Sequence, residues 1–195
     1  MAKAAKLRRV VGVAACAALL LAGCGGSLYK VKPVVNAPMT SATGMVQAGG
    51  IEFRAAPLLA DAESQELFEA NLPLAGLLPV RVEMTNETGA TLPLNKVRFR
   101  LHDAEGNEWK LLSPKQSVAI ILKANDVTLY NPNSRREFTE RFTEHAFNIK
   151  NPMNASERRQ GLLFFQTPKN APVESPRGLV LTIEGLTQPV ALRLN

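Results

Sequence analysis

Few side chains in this sequence are equipped for covalent chemistry. The chain has two cysteines, Cys16 and Cys24, and two histidines, His102 and His145. A serine or cysteine nucleophile needs a base within hydrogen-bond reach, so any such centre must use one of these two imidazoles. No Gly-x-Ser-x-Gly elbow is present to hold a serine. His102 closes a strand-like run beside a turn and His145 lies on a helix-like run, which reads both as solvated surface residues. Glu52, Glu83 and Glu108 lie on strand-like runs. A pair of such acids could serve glycoside hydrolysis without leaving a local signature, but alternation puts all three on polar faces. There is no Cys-x-x-Cys, no His-x-x-x-His and no calcium loop. Asp103 and Glu105 flank a turn, where Asp suits local backbone hydrogen bonding. Gly25-Gly26 and Gly49-Gly50 lack the strand-to-helix context of a phosphate loop. The residues therefore predict no catalytic set, no metal site and no cofactor.

The remaining chemistry belongs to Cys24 and what precedes it. Lys3, Lys6, Arg8 and Arg9 open the chain without an acid, and Val10 to Leu21 is wholly apolar or small. A charged region followed by such a run has the form of a secretory signal, and the run is far shorter than the roughly 20 residues a membrane-spanning helix needs. It ends in Leu21-Ala22-Gly23-Cys24. This tetrapeptide resembles the lipobox of bacterial lipoproteins. The resemblance implies a diacylglyceryl thioether on Cys24, cleavage between Gly23 and Cys24, and frequent acylation of the new amine. The competing reading is a chance cysteine after an ordinary signal peptide. Gly25, Gly26 and Ser27 follow, without the Asp that favours inner-membrane retention in lipoproteins of enterobacterial type. In a diderm organism the resemblance thus implies an outer-membrane anchor facing the periplasm. Arg8-Arg9 is a poor twin-arginine match, since Val10-Val11-Gly12 follows it.

Removal of the leader changes the charge. The whole chain carries 23 Lys plus Arg, 17 Asp plus Glu and a formal charge of +6. Four of the basic residues and none of the acids lie in residues 1–23, so 19 basic residues face 17 acids beyond them, a formal +2. This balance argues against a nucleic-acid partner. Cys16 leaves with the leader, and a lipidated Cys24 is a thioether, so the domain must be held by an apolar core without disulfides.

Residues 25–48 contain Gly, Ser, Thr, Pro and Asn without a sustained apolar period, and read as a flexible tether spanning roughly 25–30 Å. Tyr29 to Lys32 admits a second reading, a short strand joining the domain. Beyond the tether, two-residue alternation marks half-buried strands. It appears at Ile51 and Phe53, from Leu78 to Met84, and at Val97, Phe99 and Leu101. The chain then turns at Asp103 to Asn107 and returns through Trp109 and Leu111, a hairpin in which Gly106 supplies positive φ. Gly161 to Phe165 is continuously apolar, as in a strand covered on both faces. Leu179 to Ile183 and Val190 to Leu194 alternate again, giving about seven strands. Helical signals interrupt them. Asp61 to Asn71 is one short candidate, Ser113-Pro114-Lys115-Gln116 combines a cap, a proline and a capping-box Gln, and Ser134 to Glu137 repeats the box spacing. Phe138, Phe142 and Ala146 then recur every four residues.

These signals predict a mainly β chain, an antiparallel β-sandwich with a helical insertion at about 113–147. The order also resembles uncharacterised bacterial lipoprotein and extracytoplasmic domains of immunoglobulin-like fold. That resemblance rests on Leu78 to Asn86, on Phe99 to Trp109 with its Asp103 and Gly106, and on Gly161 to Phe165 before Pro168. The expected division is a signal peptide at 1–23, a lipidated cysteine and tether at 24–48, and a sandwich at 49–195.

Two surface features suggest binding. Lys96, Arg98 and Arg100 share one side of a strand and form a possible stripe for anionic lipid or glycan, although Glu137, Glu140, Glu144 and Glu157 intersperse with other basic pairs. Phe138, Phe142 and Phe147 offer a possible docking face, or equally the fastening of a helix to the sandwich. The leading expectation is a lipid-anchored envelope protein, not an enzyme, that binds or assembles with another envelope component. The alternatives are a carboxylate hydrolase and a glycan- or lipid-binding module.

Overall fold

The computed structural model describes residues 29–127 and 131–195. Eight strands form it: β1 (Gly44–Ala48), β2 (Ile51–Pro57), β3 (Leu77–Asn86), β4 (Arg98–His102), β5 (Glu108–Leu112), β6 (Arg158–Gln166), β7 (Val180–Glu184) and β8 (Val190–Arg193). All pair antiparallel, in the order β1-β2-β3-β6-β5-β4-β7-β8. Between β4 and β5 the ladder is two residues long, Leu101 with Trp109 and His102 with Glu108; β5 then pairs with β6 while β4 stays on β7. That short hairpin is the corner of a sandwich. Lettering β2 to β8 as A to G gives A-B-E-D on one side and C-F-G on the other, the constant-type immunoglobulin arrangement. Seven of the eight strands coincide with the strand-like runs of the sequence, alternating or, for β6, continuously apolar, and β1 is an addition before A.

Alternation explains the core. Ile51, Phe53 and Ala55 from β2, Leu78 to Met84 from β3, Phe99 and Leu101 from β4, and Leu181, Ile183, Val190 and Leu192 from the far sheet fill the space between the layers. A second cluster lies on the outer side of A-B-E-D, where Leu77, Leu112, Leu162 and Phe164 meet Phe68, Val118, Ile121, Phe138 and Phe142. Strand β6 is therefore buried on both faces, which is why its sequence is apolar without interruption.

Three helices supply the outer layer: α1 (Asp61–Phe68), α2 (Pro114–Ala124) and α3 (Pro132–Glu144). Ser113 caps α2 as its sequence predicts, with the Gln116 side chain accepting from Ser113 N at 2.9 Å. The first turn of α3 differs from expectation: its cap is Asn131, whose side chain accepts from Asn133 N at 2.9 Å, and Pro132 rather than Ser134 begins the helix. A proline pre-set at φ near −65° decides the start more strongly than a serine that could equally sit within the first turn. The helices hold to the sheet through aromatic contacts, Phe68 with Phe142 at 4.7 Å and Phe142 stacked on Phe164 at 4.5 Å between centroids. After α3 the backbone crosses β6, with Leu162 N donating to His145 O at 2.7 Å and Phe147 N donating to Leu162 O at 3.0 Å. Gly161 permits this approach, because a Cβ there would stand 2.5 Å from Phe147 Cα.

The expected tether at 24–48 is corrected over its described part. Gly44 to Ala48 is strand β1, paired with β2 from Gly44↔Ala55 to Ala48↔Ile51. Residues 29–43 are laid against the domain, with Tyr29 and Met39 buried, and they form no strand, contrary also to the second reading of Tyr29 to Lys32. Their backbone groups find partners on the domain body, so composition alone does not free them.

Candidate functional site

The segment from Tyr29 to Thr43 forms a strap over the outer face of A-B-E-D and is tied to it by a series of polar contacts. The Tyr29 ring packs on Phe138 at 5.0 Å between centroids. Lys30 N donates to the Glu69 carboxylate at 3.2 Å and Lys32 N donates to Leu67 O at 2.8 Å. Lys32 O lies 2.7 Å from His145 Nε2. A carbonyl can only accept, so this bond places the imidazole proton on Nε2. Gln160 Nε2 donates to Val35 O at 2.9 Å, and Arg158 donates to Asn36 O at 2.8 Å. Met39 N donates to Glu83 Oε2 at 3.1 Å, while Met39 O accepts from Arg54 at 3.0 Å.

Glu83 anchors this arrangement. Its side chain is 4% exposed and its Oε2 accepts from Arg158 at 2.8 Å. The register pairs Glu83 with Gln160 and Thr85 with Arg158, so Arg158 reaches its partner along the diagonal of the β3–β6 ladder. A buried carboxylate is tolerable only when paired and hydrogen-bonded, and the strap completes that requirement through Met39 N. The reading of Glu83 as a solvated face residue is thereby corrected: strap and Arg158 cover it. His145 is likewise corrected, since it is 7% exposed and its ring meets Phe68 edge-on at 5.1 Å. Neither residue carried a signal of this in the sequence, because the strap atoms that cover them, Met39 N and Lys32 O, are backbone atoms whose bonding does not depend on residue type, and Arg158 and Phe68 lie far from them along the chain.

The predicted binding residues fall in three places. Leu21, Ala22, Gly23 and Cys24 lie outside the described residues. Arg98 and Arg100 are exposed on β4 and Lys96 precedes that strand, so the stripe exists as a surface. Arg100, however, is engaged by Glu108 at 2.9 Å and Glu184 at 3.2 Å. Its hydrogen bonds to Glu184 and then Glu108 raise its pKa further. Arg98 folds back on the carbonyls of Asn95 and Val97 at 3.0 Å. The phenyl face is not available for docking: Phe138 and Phe142 are buried beneath the strap and helices, and Phe147 turns to the opposite cluster between the sheets, in contact with Phe99. Phe142 packs on Phe164 of β6, Phe138 packs between Phe142 and Tyr29, and Phe147 joins the core between the sheets, so all three rings are taken up by packing, the fastening role that the sequence left open.

The three strand acids are each committed to an arginine: Glu52 to Arg54, Glu83 to Arg158 and Glu108 to Arg100. An open cleft of about 560 Å³ lies between the β4–β5 turn and the Pro-rich loop after β6, bordered by Asp103, Glu105, Trp109, Lys169, Glu174 and Arg177. There Asp103 accepts from Trp109 Nε1 at 3.0 Å and from Asn107 N at 2.8 Å. Partial burial alone would raise the Asp103 pKa, but the bonds from Trp109, from Asn107 and from the Glu105 backbone outweigh it and hold the carboxyl below its ordinary value. A general acid needs the opposite shift. The other displaced carboxylates also move down, Glu66 through its bond to Lys32, and Glu157 chiefly through the Asn154 backbone against a smaller effect of burial, helped by Arg159. No group of three metal-ligating side chains occurs among the described residues.

Strand order and packing define the class: an antiparallel β-sandwich with an inserted helical layer. No protein-family model matches the chain, and no curated protein matches it. Among solved structures it is similar to a secreted protein of Mycobacterium tuberculosis, MPT63, at 10% identity and a TM-score of 0.40, over 85% of this chain and 100% of that one. It is similar to an uncharacterized β-sandwich protein of Clostridium difficile 630 at 10% identity and a TM-score of 0.36, over 83% and 93% of the two chains. A conserved hypothetical protein of Bacillus anthracis gives 10% identity and a TM-score of 0.37, over 80% and 90%. At such scores the assignment of the fold rests on this chain's own strand order.

Proposed function

We propose that this chain is an envelope lipoprotein, held by acyl chains on Cys24 and carrying a non-enzymatic sandwich that binds or assembles with another envelope component. The observation that carries the reading is Leu21-Ala22-Gly23-Cys24 at the end of a short apolar run behind four basic residues. Each buried methylene contributes about 0.8 kcal/mol, so two or three acyl chains on one residue give lasting attachment. In a diderm cell the absence of Asp after Cys24 favours the outer membrane and its periplasmic side. The binding role is supported by the commitment of the strand acids to arginines, which leaves them unsuited to hydrolysis.

Intact-mass measurement of the native protein tests the anchor. The expected product begins at Cys24 and carries diacylglycerol, and a Cys24→Ala variant loses membrane association. A mature chain beginning elsewhere, or with an unmodified sulfur, would overturn the reading. Crosslinking in intact membranes tests the second part, which fails if no envelope protein is repeatedly recovered.

A further inference from the structure

We propose that the strap presses one particular face of the domain onto the bilayer, namely α3 and the start of the strap. This rests on the lipidation of Cys24 and adds an orientation to it. Tyr29 is docked on Phe138, and five residue steps separate it from Cys24. Fully extended, five steps reach about 17 Å, against the roughly 25–30 Å of the free tether that composition suggests. The bonds of Lys30, Lys32, Val35, Asn36 and Met39 to the body keep the strap from lending extra length.

Lys30, Val31, Pro33, Glu137 and Arg141 border the same hollow as Tyr29 and so share its distance from the lipid. Val34 and Val35 follow, 44% and 78% exposed, apolar surface suited to the headgroup boundary. The C-F-G sheet lies on the other side of A-B-E-D, about 20 Å beyond the helical layer by ordinary packing distances. Lys32 pairs with Glu66, Arg141 with Glu144 and Arg136 with Glu140, while Glu69 accepts from Lys30 N and Glu137 borders the hollow beside Lys30 and Arg141. The contact is therefore imposed by a short leash and not by charge, and salt should not release it. The occupant is the lipid surface, and the C-F-G face is left pointing into solution.

The test uses the full-length lipidated protein in phosphatidylethanolamine and phosphatidylglycerol vesicles containing a nitroxide-headgroup lipid. A fluorophore is placed on Glu137→Cys beside the hollow or on Ala191→Cys, an exposed position of β8. Several-fold stronger quenching at 137 than at 191, unchanged by salt, is the expected result. Inserting about 20 Gly and Ser residues after Gly26 restores a free span of some 25 Å and is expected to erase the difference. Equal quenching at both positions, or a signal at 137 that survives the insertion, overturns the proposal. Intact mass of the same samples separates failure of the orientation from failure of the anchor. A lipidated Cys24 with equal quenching refutes the orientation alone, and a bare Cys24 refutes both.

Discussion

Arg158 joins Glu83 to the strap with a single guanidinium, one nitrogen 2.8 Å from Glu83 Oε2 and another 2.8 Å from Asn36 O. The two residues are unequal partners, since the carboxylate is 4% exposed and the arginine side chain 31%. Removing the arginine strands a buried charge, whereas removing the carboxylate's charge leaves a cation that can reach water.

Arg158→Ala should therefore cost about 3 kcal/mol in urea unfolding, near the lower end for a broken buried pair. Glu83→Gln, which keeps an acceptor for Met39 N, should cost about 1 kcal/mol. A glutamine variant as unstable as the alanine one would contradict this assignment of burden.

Phe142→Ala should cost about 3–5 kcal/mol, because the ring is fully buried between Phe68, Phe138 and Phe164 and its removal leaves a cavity the sheet cannot collapse to fill. Equilibrium denaturation reads it. A loss below about 1 kcal/mol would mean that the helical layer is not fastened there.

Gly161→Ala should cost about 3 kcal/mol, at the upper end for overpacking. The new methyl would meet the backbone of residue 147, not a side-chain tip that can swing aside. The companion change Gly106→Ala meets no atom within 4 Å and should act only through its positive φ of 80°, costing about 1 kcal/mol. Thermal midpoints of the two variants provide the comparison.

Asp103→Asn tests the cleft carboxylate through the single tryptophan, whose fluorescence reports its bond to Asp103. The folded pKa is lowered, so the ionised form contributes stability above the ordinary aspartate value near 3.9. That contribution is lost as pH falls through the folded value. Wild type should therefore exceed the variant at pH 7, and the gap should narrow as pH falls below the ordinary aspartate value, a trend read from denaturant midpoints. A constant gap across this range would show that the charge is not involved.

The sandwich was legible because burying one face of a strand writes a period of two into the chain, as at Val97, Phe99 and Leu101. Gly161 to Phe165 was legible for the complementary reason, two covered faces leaving no polar position. Strand β1 was not, since Met45 is 63% exposed and Val46 and Ala48 are only half-buried, which blurs the alternation. The strap has no mark in the sequence because main-chain atoms make most of its bonds, and these look the same for any residue. Glu83 and Arg158 sat on strands as ordinary charged positions; their pairing across 75 residues has no local mark.

The extra strand before A bears on how the edges of the sandwich are covered. Gly44 lies so near β8 that a Cβ would stand 2.8 Å from Arg193 O, which turns the two outermost rims of the sandwich toward each other. An unpaired rim is where a neighbouring molecule adds a strand and templates aggregation. Here each rim faces its opposite number, which leaves less open edge for another chain to extend.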